Sequence, residues 1–222
     1  MPHQATREAV RIDTGVVTVD GDLRVPDKAG GLVIFAHGSG SSRFSRRNRA
    51  VAGVLENAGF GTLLLDLLTP AEESVDERTR EHRFDIDLLG RRVVGATDWM
   101  QSRADLRQLR VALFGASTGA AAALIAAAAR PELARAVISR GGRPDLAGDA
   151  LPMVQAPTLL IVGGDDEPVI DLNREAMRQM RAPVELVIVP GATHLFEEPG
   201  ALEEVARLAA DWCRRHVHRD GA

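Results

Sequence analysis

Three apolar runs in this chain end in residues that could do chemistry together. Ser117 lies in GASTG (115–119), three carboxylates (Asp165, Asp166 and Glu167) in GGDDE (163–167), and His194 in GATH (191–194). A serine hydroxyl is a weak nucleophile until a base takes its proton. Imidazole is the base suited to neutral pH, and a carboxylate can orient the ring and stabilise its protonated form. The chemistry implied is attack of serine on a carbonyl, with a covalent acyl-serine intermediate.

G-x-S-x-G marks a sharp turn from strand into helix that exposes the serine. Val111 to Phe114 reads as the strand, and the alanine-rich stretch from Ala120 to Ala129 as the helix. Gly115 and Gly119 are required because larger side chains would collide where strand and helix meet. The helix start adds unpaired N–H groups and partial positive charge, which favour a developing anion. His194 is the candidate base because it follows the acids in the order Ser, Asp, His and lies in the loop after the last strand. His3 is in a polar tail, His216 and His218 end the chain, His82 is in a charged connection, and His37 precedes a glycine turn. Spacing alone does not separate the three carboxylates. Asp66, at another strand end, reads as structural.

His37-Gly38-Ser39-Gly40 supplies a glycine-rich loop beside the serine turn. The negative charge of a tetrahedral intermediate must be met by backbone donors. The N–H groups of Ser39 and Thr118 are the expected oxyanion hole. No G-x-x-x-x-G-K-[ST] phosphate loop occurs, no histidine pair has metal-ligand spacing, and the chemistry asks for no cofactor.

These residues need a frame that gathers strand ends. Residues 8–25 hold two alternating stretches that read as antiparallel strands. Buried-looking runs follow at 31–37, 61–68, 110–117, 135–140, 158–164 and 184–191, with helices expected near 45–58, 84–103, 118–130, 169–181 and 201–216. Apolar residues at consecutive positions indicate strands covered on both faces. The repeated strand–helix order predicts an α/β fold: a mostly parallel, doubly wound sheet of about eight strands, antiparallel at its N-terminal edge, with functional loops at the strands' carboxyl ends. The highly charged stretch 69–85 reads as a solvated loop that could border the pocket. Gly141 to Pro157 is too short for a large cap.

At 222 residues, 45% hydrophobic and 26% charged, the chain is expected to form a single domain over 1–222. A net charge of −4 gives no support for nucleic acid or an anionic membrane as partner. One cysteine excludes an intrachain disulfide, and no run reaches the roughly 18 apolar residues of a membrane span. With a polar N-terminus, these point to a cytoplasmic protein, monomer or homodimer, acting on a small molecule.

Taken together, HGSG, GASTG, GGDDEPV and GATHLF resemble the α/β-hydrolases, and more narrowly the small, capless members of the dienelactone hydrolase family, over nearly the whole chain. That resemblance implies Asp166 as the acid, through the pattern G-x-x-D-x-x-V. The hydrolases that gave the family its name use a cysteine nucleophile, whereas this chain has Ser117. The implied activity is therefore that of a serine esterase (a carboxylic ester hydrolase) on small esters or lactones. An acyltransferase or peptidase with the same triad, or a binding protein on the hydrolase fold, are the alternatives. Arg43, Arg46, Arg47 and Arg49, with Arg140 and Arg143, flank the site. A solvated basic face is the plain reading of such arginines. If any bind an acidic group on a substrate, Arg140 and Arg143 are the candidates, because glycines adjoin them.

Overall fold

The computed structural model describes residues 6–217; His3 and His218 lie outside them. Eight strands form one sheet: β1 (Thr6–Asp13), β2 (Thr18–Val25), β3 (Leu32–Ala36), β4 (Gly61–Leu65), β5 (Val111–Ala116), β6 (Ala134–Arg140), β7 (Thr158–Gly163) and β8 (Val184–Val189). Their order is β1-β2-β4-β3-β5-β6-β7-β8. β1 pairs antiparallel with β2 and β2 with β4, and every later pairing is parallel. The expected mostly parallel sheet with an antiparallel N-terminal edge is the one found.

The helices are α1 (Arg46–Asn57), α2 (Pro70–Thr79), α3 (Ile86–Ser102), α4 (Thr118–Ala129), α5 (Glu167–Gln179) and α6 (Ala201–His216). The strand LVIFA of β3 shows why the inner strands carry apolar residues at consecutive positions. Leu32, Ile34 and Ala36 join a core that includes α3 and α4, while Val33 and Phe35 join one that includes α1 and α6. Successive side chains point to opposite faces, and both faces are covered. The alanine helix α4 is buried almost throughout, and its small side chains allow close approach to the sheet.

One segment differs from expectation. Residues 70–79, expected within a loop, form α2, which Thr69 starts with a capping box. Its hydroxyl accepts from the Glu72 N–H, the Glu72 carboxylate accepts from the Thr69 N–H, and Pro70 fits the first turn. The segment Pro144–Met153 between β6 and β7 forms short 3₁₀ turns broken at Gly148, in keeping with the expectation that this connection is too short for a large cap.

Candidate active site

Ser117 stands between β5 and α4 with φ 50° and ψ −123°, a conformation that a non-glycine residue adopts only when its surroundings enforce it. Its N–H donates to the Arg140 carbonyl (3.2 Å), and its carbonyl accepts from the N–H groups of Ala120 (3.0 Å) and Arg143 (3.1 Å). The flanking glycines make this turn possible. A Cβ on Gly115 would lie 2.3 Å from the Ala120 Cα, and one on Gly119 would lie 2.3 Å from the Ala36 carbonyl oxygen. The first is the strand–helix collision expected; the second is a close approach of α4 to the neighbouring strand β3.

His194 follows β8, and its Nδ1 lies 2.7 Å from Oδ2 of Asp166, which follows β7. An ionised carboxylate can only accept, so the ring hydrogen sits on Nδ1 and Nε2 keeps a lone pair for a proton. Asp165 and Glu167, exposed on either side, make no such contact. The two loops are tied by backbone: the Asp165 N–H donates to the Ala192 carbonyl at 3.0 Å. Gly141, directly after Arg140, packs against His194, since a Cβ there would lie 2.9 Å from the His194 carbonyl oxygen and 3.6 Å from its Nδ1. Because Arg140 is bonded to Ser117, this contact brings the histidine loop to the serine turn. Ser117 is half-buried, and its hydroxyl makes no hydrogen bond among the described residues. Catalytic hydrogen bonds of this kind often tighten only with substrate.

The expected oxyanion donors differ in state. The N–H of Thr118, first in α4, belongs to the set with no partner inside the helix. The N–H of Ser39 is engaged and donates to Oγ1 of Thr118 at 3.0 Å. The Ser39 hydroxyl lies 2.9 Å from the same oxygen and donates to the Arg83 carbonyl at 2.9 Å. His37, buried at the head of this loop, accepts from the Leu67 N–H at Nε2 (3.0 Å), while Nδ1 faces the Gly38 carbonyl (2.9 Å). Burial holds its basicity below the ordinary histidine value, against the Gly38 bond and the Asp66 charge. Asp66 is itself structural, accepting from the N–H and guanidinium of Arg43.

The two candidate arginines also differ. Arg143 spends its guanidinium on both oxygens of Asp145 (2.9 and 2.8 Å). Arg140, last in β6 and only 9% exposed, donates from Nη2 to Oδ1 of Asn48 at 3.2 Å, while its Nη1 is buried with no partner among the described residues. Burial, and then the nearby charge of Arg47, push Arg140 down to about 10. Arg47 in turn contacts Glu197 at 3.1 Å. Arg43 and Arg49 are held by Asp66 and Asp22. Among the described residues, no group of three or more His, Cys, Asp or Glu is arranged to hold a metal ion.

A cavity of about 140 Å³ lies beside the His37–Gly40 loop, walled by Gly38, Ser39, Asp66, Leu68, Glu73 and Arg83. The wall from α2 and the turn after it belongs to the stretch 69–85, whose role in the site was open from sequence alone. Thr69-Pro70-Ala71-Glu72 was the signal that this stretch is ordered.

The pattern that defines the dienelactone hydrolase family matches residues 19–218. This chain belongs to the dienelactone hydrolase family. A dienelactone hydrolase from Anabaena variabilis ATCC 29413 shares 58% identity with this family member and superposes with a TM-score of 0.95 over 97% of this chain and 100% of that one. Est1E from Butyrivibrio proteoclasticus shares the fold at 18% identity (TM-score 0.77, 93% of this chain and 98% of that one). A Mycobacterium tuberculosis (strain ATCC 25618 / H37Rv) protein named "Putative phosphoribosyl transferase Rv0571c" is 57% identical over 210 residues, which is 95% of this chain and 46% of that protein. The chain thus spans less than half the length of that relative. Among the described residues, no helix is long and apolar enough to cross a membrane.

Proposed function

We propose that this family member is a serine hydrolase of small carboxylic esters or lactones. The observation that carries the reading is the 2.7 Å contact of His194 Nδ1 with Asp166, in a fold that sets the strained Ser117 next to Arg140 and Gly141. In this mechanism the Ser117 Oγ bonds to the substrate carbonyl carbon as its proton passes to Nε2 of His194. Asp166 holds the resulting imidazolium. The carbonyl electron pair moves onto oxygen, where the Thr118 N–H meets it, joined by the Ser39 N–H, which it shares with the Thr118 hydroxyl. When the carbonyl re-forms, the C–O bond to the alcohol breaks and His194 returns the proton to the leaving alkoxide. Water then repeats the cycle, losing a proton to His194 and displacing Ser117, which takes that proton back.

The substrate end of the proposal rests on Arg140. A buried guanidinium without a carboxylate partner is costly, and an anionic group on the substrate would supply the missing partner. Arg143 stays a weaker candidate because Asp145 already fills its fork. The transferase name of the mycobacterial relative belongs to a protein more than half of which lies outside the match.

The test is hydrolysis of short acyl aryl esters and lactones, neutral and carboxylate-bearing, by wild type, Ser117→Ala and His194→Ala. Turnover by the wild type alone is expected. Turnover that survives in both variants would contradict the mechanism. Product that partitions to an added alcohol or amine would identify an acyltransferase.

A further inference from the structure

Helix α2 carries charge where a surface helix usually carries an apolar face. Its single buried residue is Asp76, 2% exposed. Burying a carboxylate is unfavourable unless donors surround it. Here they do: Asp76 accepts from the N–H groups of His82 (2.9 Å) and Arg83 (2.8 Å) and from Nε of Arg83 (2.5 Å), while Nη2 of Arg83 returns to the Asp76 carbonyl (3.1 Å). Every one of these bonds fixes Arg83 or the residue before it. Arg83 in turn lies against the oxyanion loop, since a Cβ on Gly40 would stand 3.2 Å from its Nη1.

A count of hydrogens sets the direction of the contacts that follow. The Arg83 carbonyl can only accept, so the one hydroxyl hydrogen of Ser39 goes to it. In the 2.9 Å pair of hydroxyls, Thr118 must then donate to Ser39. Oγ1 of Thr118 keeps lone pairs, and one accepts the Ser39 N–H. Ser39 therefore holds Thr118 through both its amide and its hydroxyl, and Thr118 is the residue after the nucleophile.

We propose that Asp76 and the Thr118 hydroxyl are positioning residues for the oxyanion hole, acting through Arg83 and Ser39. This rests on the hydrolase reading above. The chain of contacts keeps the Ser39 amide aimed at the serine turn, so that a substrate carbonyl oxygen arriving there shares a donor already in place. Pre-set donors stabilise developing charge without reorganisation at the moment of reaction.

The experiment compares wild type with Thr118→Val, Thr118→Ser and Asp76→Asn on p-nitrophenyl acetate, with active sites counted by the mass of a fluorophosphonate adduct. Thr118→Val keeps the side chain's shape and removes both hydroxyl contacts. Its kcat per active site is expected to fall about tenfold, with KM within about twofold, as for loss of one or two hydrogen bonds felt at the transition state. Thr118→Ser restores kcat, and Asp76→Asn shifts kcat in the same direction as Thr118→Val. A purely structural role would lower the number of active sites and leave kcat per site unchanged, which overturns the proposal. So does a Thr118→Val enzyme faster than wild type, because the hydroxyl would then be a competitor for the amide. A wild type with neither turnover nor adduct would instead overturn the hydrolase reading itself, and this inference with it.

Discussion

Arg140 and Arg143 leave the same strand end, yet only one has a charge to offer. Asp145, two residues along, takes both arms of Arg143. At the corresponding place for Arg140 stands Asn48, a neutral partner from α1 that satisfies one nitrogen. An uncompensated buried charge lowers stability, and Arg140→Met is expected to raise it by on the order of 1 kcal/mol, read as a higher denaturant midpoint. The same variant should lose roughly tenfold or more in kcat/KM on a carboxylate-bearing ester relative to its neutral counterpart. A destabilised variant with equal losses on both esters would make Arg140 a packing residue. Sequence could name both arginines but could not rank them, because the ranking depends on a residue 92 positions away. The acid shows the same limit. Asp165, Asp166 and Glu167 are adjacent, and only side-chain direction leads Asp166 to His194.

At the scale of elements, legibility followed burial. β3, β5 and β7 are buried at every position and carry consecutive apolar residues because helices cover both faces, and that pattern is visible in a sequence. The α2 stretch has no such pattern, since its one inward residue is an acid, and only the Thr69–Glu72 capping box betrays it. The serine turn was legible for a geometric reason that can be tested at the contact of α4 with β3. Gly119→Ala would set a Cβ 2.3 Å from the Ala36 carbonyl oxygen, which as backbone has little room to move. The helix must withdraw, carrying Thr118 and Ser117 with it. A cost of about 1–3 kcal/mol in unfolding free energy is expected. Fluorophosphonate labelling should slow sharply in protein that remains folded; labelling at the wild-type rate would show that the turn tolerates the added methyl.

Across the whole molecule, His37 links the ends of two central strands, and its Nε2 can accept the Leu67 N–H only while the ring is neutral. Its folded value is lowered, so between that value and the ordinary ~6.5 the unfolded chain binds the proton that the folded chain refuses. Stability should therefore fall as pH drops from about 6.5 towards the lowered value, with little contribution above it. Denaturant midpoints measured across this window should show the slope in wild type and a weaker one in His37→Gln. An equal slope in both would assign it elsewhere. Asp76 acts in a separate range. Burial alone would raise its carboxyl, but the bonds from Arg83 and His82 outweigh this and hold it low. Its contribution is present above the ordinary carboxylate value of about 3.9 and is lost as pH falls through its folded value.

All of these effects bear on one serine. The most direct measurement is the intact mass of the folded protein after exposure to a fluorophosphonate, with Ser117→Ala treated alongside. A single adduct on the wild type that is absent from the variant is the result expected of a serine activated by His194 and Asp166. An unmodified wild type, or an adduct that persists in Ser117→Ala, would contradict the account.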